Sequence, residues 1–156
     1  MSSNLKKVPK KVFIKGAISS EFIANSIAKH QSKTNIGAHN IFLGQVRNDI
    51  LDGKKVKAIE YSAYSEMAEK AIHQIREAAF KKFDLICLHI YHSLGKVIAG
   101  EICLFVFVSS AHRDASYQAS RFLVEELKAK APIFGKEVFE DNSHSWKVNT
   151  TTQIHD

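Results

Sequence analysis

Apolar and polar positions repeat along this chain with two periods, and the switches between them outline the elements. Residues 11–15 (KVFIK) predict a short first strand, and Ser19 or Ser20 a cap for a helix to about residue 30 with Phe22, Ile23 and Ile27 on its apolar stripe. Residues 36–46 are strand-like, with glycine near each end. Arg47-Asn48-Asp49 opens a polar stretch ending in Asp52-Gly53, which predicts a long hairpin connection with residues 55–61 as the returning strand. A second helix starts near Ser65, where Ala68, Ala71, Ile72, Ile75 and Ala79 recur at three- and four-residue steps, as one face packed on a sheet requires. Residues 85–91 and 102–108 are continuous apolar runs rich in β-branched and aromatic residues, the pattern of strands buried on both faces. Gly95 and Gly100 bracket a turn-like piece between them and predict an antiparallel pair. The third helix runs from about 114 to 130, with Ala115, Ala119, Phe122, Leu123 and Leu127 on one stripe and Pro132 as its stop. Short strands at 133–139 and 145–148 follow. Hairpin signals among the alternating elements predict an α+β fold, mostly antiparallel with about three helices, rather than a doubly wound parallel sheet. One domain over residues 1–156 is expected, with 1–10 and 150–156 flexible.

Composition narrows the class. With 156 residues and 45% hydrophobic content, the chain can bury a core without disulfides or a structural metal. Cys87 and Cys103 lie in apolar strand-like runs, with no CxxC and no Cys/His ligand spacing. They are expected to be buried and inert, with no metal site, in a reducing cytoplasm. No apolar run approaches the roughly 20 residues of a membrane span, so no membrane partner is expected. The 22 Lys+Arg against 16 Asp+Glu leave +6 with the eight histidines neutral, which suits an anionic partner or substrate. Lys6, Lys7, Lys10, Lys11 and Lys15 read as a solvated terminus. A nucleic-acid partner has only the charge in its favour, without clustered aromatics or a recognition-helix pattern, and none is expected.

No GxSxG, P-loop, GxGxxG or HExxH is present. The chemistry-bearing features are cations at the ends of elements. Arg47 leaves a strand just after Gly44, which permits close backbone approach; alone, it reads more readily as a solvated loop residue than as a clamp. Ser110-Ala111-His112-Arg113 sits between a buried strand and the N-terminus of the third helix, where free N–H groups and the helix dipole favour an anion. An exposed pair of cations explains the same residues equally well. Lys128 and Lys130 occupy a last helical turn, where lysines commonly serve the dipole; a reacting lysine there needs burial or neighbouring cations. His89 and His92 fall on opposite faces of one strand and read as core or edge residues.

In order and spacing, four segments together resemble the large catalytic subunit family of molybdopterin synthase. They are FLGQVRN at 42–48, YHSLG at 91–95 with Gly100-Glu101, SAHR at 110–113 and LKAKAPIF at 127–134, and the resemblance extends over about 36–147. It implies an α/β-hammerhead-type fold and a central homodimer with a small ubiquitin-like sulfur-carrier subunit at each far end, a heterotetramer. The implied activity is transfer of sulfur from the carrier's C-terminal thiocarboxylate to cyclic pyranopterin monophosphate, forming the dithiolene of molybdopterin, with no cofactor. By the same resemblance Arg47, His112 and Arg113 bind the substrate's phosphate and pterin, Lys128 is the catalytic lysine, Phe42 walls the pocket, and Gln45 and Val46 lie along it.

One departure stands out. After Pro132 the family has an aromatic residue, two basic residues and a glutamate, whereas this chain reads Phe134-Gly135-Lys136-Glu137. Glu137 matches a substrate-site position, and the first basic residue is missing. Lys136 is the expected catalytic replacement if Gly135 permits a bulge or an unusual backbone angle, because on a regular strand a one-residue shift points the side chain to the other face. A non-catalytic scaffold that binds the carrier or a phosphorylated pterin is the alternative reading, and the glycine is its support.

Overall fold

The computed structural model describes residues 11–148. In chain order the elements are β1 (Phe13–Lys15), α1 (Ser20–His30), β2 (Ala38–Gln45), β3 (Ile50–Leu51), β4 (Lys54–Ala63), α2 (Ser65–Lys82), β5 (Cys87–Ile98), β6 (Ile102–Ser110), α3 (Arg113–Lys130), β7 (Ile133–Phe139) and β8 (His144–Trp146). The strands form one sheet in the order β2-β6-β5-β4-β7-β8, with β1 added on β5 and β3 on β4. Its pairings are antiparallel except for β1 against β5. Among the described residues the three helices and the α+β class are as the sequence pattern predicts. The stretches expected to be flexible lie outside the described residues.

Strand β6 is the centre of the core. Its residues from Cys103 to Ser110 are all buried. Phe105 and Phe107 pack with Ile18 and the α1 residues Phe22, Ile23 and Ile27. Leu104, Val106 and Val108 pack with α2 and α3 through Ile72, Ile75, Ala119, Leu123 and Leu127. Helix α1 therefore covers one face of the sheet, and α2 and α3 cover the other. The cap of α1 is Ser19, whose Oγ accepts the Phe22 N–H at 3.0 Å.

The connection after β2 differs from the expected long hairpin. Asp52 and Gly53 both have positive φ, 52° and 76°, as the turn of a tight two-residue hairpin requires. That turn closes only β3 onto β4, and β4 then runs between β5 and β7 instead of returning along β2. A second difference is the length of β5. It passes through the expected turn region to Ile98, pairing with β6 over Cys87–His92 and with β4 from Gly95 onward. Gly95, at φ 87°, marks the changeover.

Gly37 sits where two backbones meet ahead of β2. Its N–H donates to Ser110 O at 3.0 Å, and a Cβ added there would stand 2.1 Å from Ala111 O. Gly37→Ala therefore has to push apart backbone that β2 and β6 hold in register. Urea denaturation should show a loss of about 2 kcal/mol or more; an unchanged midpoint would mean that the β6–α3 junction yields freely.

Candidate functional site

A cleft of about 1010 Å³ opens where the C-terminus of α3, the end of β2, and strands β4, β5 and β7 converge. Pro132 and the extended backbone of Ala131 end α3 abruptly, so the last turn overhangs the sheet. That turn brings Lys128 and Lys130 to the rim. Phe42, Gln45 and Arg47 enter from β2 and its exit, Tyr61 from β4, His92 from β5, and Gly135 and Glu137 from β7.

Of the nine residues assigned to the site through the family resemblance, Phe42, Gln45, Arg47, Lys128 and Glu137 share this cleft. The other four do not. Val46 is 2% exposed and belongs to the core; its N–H donates to Glu101 O, and its carbonyl accepts from Gly100. It fastens the end of β2 instead of lining the pocket. Lys136 faces away because β7 pairs with β4 in unbroken register from Ile133 to Val138, with no bulge at Gly135. It stands opposite Glu60 and forms an ion pair with it at 3.3 Å. His112 and Arg113 line a separate hollow of about 510 Å³, with Gly37, Ala38, Asp114 and Tyr117. Within one chain they do not meet Lys128.

Several cleft residues escape sequence reasoning. The carbonyl of Gly135 accepts the backbone N–H of Lys147 at 2.7 Å, which brings Lys147 into the cleft beside the position that lacks a basic side chain. Gly135 itself has little room: a Cβ there would lie 3.0 Å from Ile59 Cγ2 and 3.3 Å from Tyr61 Cε1. Cys103 is the extra residue of a β-bulge, since Leu104 and Ile102 pair with the consecutive residues Gly44 and Gln45. The bulge lets its thiol line the cleft, where it accepts from the Tyr61 hydroxyl at 3.4 Å. Bulges and backbone pairings of this kind leave no composition signal.

The electrostatics follow from crowding. Solvent reaches Lys128, yet the cleft walls surround it and lower its pKa below the ordinary lysine value. Lys147 and Arg47 push the same way, against Cys103 and Glu125. Arg47 is exposed and pairs with Asp49 at 3.2 Å, an exchangeable surface contact. Lys130 pairs with Glu126 at 2.6 Å along α3. Burial pushes His92 down to about 4, helped by Lys128 and opposed by its bond to Ser93 O. The neutral ring donates Nδ1–H to Ser93 O at 2.8 Å, so Nε2 is the acceptor nitrogen. Tyr61, edge-on to His92 at 5.0 Å, is held protonated because burial, Cys103 and Glu137 all raise its pKa.

A mostly antiparallel sheet covered on both faces, with a lysine-rich cleft under a helix C-terminus, defines an α+β protein equipped to hold anions. The profile of the MoaE protein family matches residues 17–130. The molybdopterin synthase catalytic subunit of Bos taurus is 42% identical over 113 residues, 72% of this chain and 59% of that protein. The Thermoplasma volcanium protein of the same name is 37% identical over 110 residues, 70% of this chain and 80% of that one. The crystal structure of molybdopterin synthase from Staphylococcus aureus superposes with a TM-score of 0.75 at 29% identity, covering 88% of this chain and 96% of that one. A complex of subunits 1 and 2 of molybdopterin-converting factor from Helicobacter pylori 26695 shares the fold, with a TM-score of 0.75 at 19% identity. This chain belongs to the MoaE protein family. Its matched part spans less than two-thirds of the mammalian relatives' own length.

The depressed pKa of His92 carries a pH signature. Between about pH 4 and 6.5 the unfolded chain binds the proton that the folded chain refuses, so stability rises with pH across that window and falls as acid is added. The full effect is at most about 3 kcal/mol. In His92→Gln, unfolding free energies measured from pH 4 to 7 should lose this part of the slope; an unchanged slope would show an imidazole that titrates normally.

Proposed function

We propose that this chain is the catalytic subunit of a molybdopterin synthase. It takes sulfur from the C-terminal thiocarboxylate of a small ubiquitin-like carrier and inserts it into cyclic pyranopterin monophosphate, making it a sulfurtransferase. The observation that carries this reading is the cleft itself, with Lys128, Arg47 and Lys147 converging under the end of α3. Both reactants are anions, a thiocarboxylate and a phosphate, and both gain from cations held in a partly desolvated recess. The names of the relatives at 37–42% identity support the same activity.

The roles follow from position. Lys128, poised below the ordinary lysine pKa, stabilises the charge that develops at the thiocarboxylate carbon, or passes a proton as the carbon–sulfur bond forms. Lys147 takes the cationic role expected of Lys136, which is committed to Glu60. Neutral His92 offers an acceptor on the cleft floor. The sulfur arrives already activated, so Cys103 need not act as a nucleophile. Support for a scaffold rested on the missing lysine at Gly135, and Lys147 answers it. His112 and Arg113 serve the substrate's phosphate if a second copy brings its own hollow to this cleft, as the expected homodimer allows. We read the whole chain as one catalytic domain working in the cytoplasm; among the described residues no helix is long and apolar enough to cross a membrane.

In an assay with thiocarboxylated carrier, Lys128→Ala should lower kcat by about 10²- to 10³-fold while carrier binding is kept. A variant as active as wild type would refute the assignment. Lys147→Ala should cost about tenfold in kcat/KM, and Lys136→Ala almost nothing, with the opposite ranking restoring Lys136 to the site. Mixing inactive Lys128→Ala and Arg113→Ala chains should regain part of the activity if each site draws on two copies; no recovery after subunit exchange would place Arg113 outside it.

A further inference from the structure

On the face of the sheet away from the cleft, the last residue of α1 meets the start of β5. We propose that His30, Cys87 and His89 form a binding site for a single zinc ion there. The sulfur and the ring nitrogens that could serve as ligands all lie within 4.8 Å of one another. A tetrahedral zinc shell needs about 3.3 Å between two nitrogens and about 3.6 Å between nitrogen and sulfur, so small side-chain adjustments suffice. Cys87 and His89 are two apart on one strand and share a face, while His92, three further on, points into the cleft.

The strongest observation is the orientation of His30. Its Nδ1 lies 2.7 Å from the carbonyl of Ser26, which can only accept, so Nδ1 carries the proton and Nε2 presents a lone pair. That Nε2 lies 2.9 Å from Nε2 of His89. Two ring nitrogens facing each other need either a shared proton or a cation between them. An imidazole fixed by a backbone carbonyl through its far nitrogen is the usual outer arrangement of a zinc-binding histidine.

The surroundings fit as well. His30 and Cys87 are buried and His89 is half-buried, and Phe107 packs against the His30 ring at 4.8 Å, so two of the three ligands are shielded from competing water. Lys33 Nζ donates to Cys87 Sγ at 3.0 Å, a contact that can persist as an outer hydrogen bond to a bound sulfur. His39 stands 6.4 Å from His30 between ring centroids, with its Nδ1 2.7 Å from Ser109 Oγ. One thiolate and two imidazoles suit zinc over magnesium or calcium, and a water completes the fourth position. On binding, the Cys87 thiol loses its proton to solvent, and His89 moves its ring proton to Nδ1. The ion would staple the end of α1 to β5.

The test uses the untagged full-length chain, stripped with a chelator and titrated with Co²⁺ and then Zn²⁺. One equivalent of cobalt should give a thiolate-to-metal charge-transfer band and tetrahedral d–d bands, which zinc then displaces. The band should survive Cys103→Ser, which leaves Cys87 as the only thiol, and vanish in Cys87→Ser and His30→Gln. Excess zinc should also raise Tm in wild type. Absence of the band in wild type, its loss in Cys103→Ser, or its survival in Cys87→Ser would each overturn the proposal. Wild type and Cys103→Ser decide the matter even if Cys87→Ser does not fold.

Discussion

Strict alternation of side chains along β5 and β7 is the constraint on which the rest of this molecule depends. Once β6 is buried on both faces, β5 has no freedom to slip, because a shift by one residue would exchange every inward and outward side chain. Cys87 and His89 are thereby committed to the α1 face, and His92 to the cleft beneath α3. The same rule operates on β7. Gly135 and Glu137 look into the cleft, and Lys136 looks out to Glu60.

That geometry gathers positive charge in the cleft. Lys128, Lys147 and Arg47 face one another across a recess whose walls exclude much of the water that would otherwise screen them. Cations gathered in this way repel one another, and an anion in the recess would offset that repulsion, which is the electrostatic basis of the proposed function. The lowered pKa of Lys128 reflects desolvation first and the neighbouring Lys147 and Arg47 after it. Asp49 beside Arg47 offers partial and exchangeable relief.

Local features of the sequence were legible, and long-range ones were not. The Ser19 cap, the apolar stripes of α2 and α3, the stop at Pro132 and the twofold burial of β6 all follow from neighbours a few residues apart. Arg47 and Lys128 were visible as cations at element ends, and the structure puts them in one cleft. Val46 carried no mark of its burial, because its environment is set by Gly100 and Glu101 across the sheet. Lys147 enters the cleft through a backbone bond to Gly135 that no periodicity records. The cluster of His30 with Cys87 and His89 was invisible for the same reason: α1 must first lie across β5 to create it. The Asp52-Gly53 turn was read correctly as a turn, but its partner strands follow from which edges remain open, a property of the assembled sheet.

Sulfur insertion in the cleft beneath α3 is the step on which the proposed function stands. The most direct measurement combines the purified chain, a thiocarboxylated carrier subunit and cyclic pyranopterin monophosphate, and follows the dithiolene product by fluorescence after oxidation. Product forming at a rate proportional to the concentration of this chain is the predicted result. No product, with the carrier demonstrably bound, would contradict the claim.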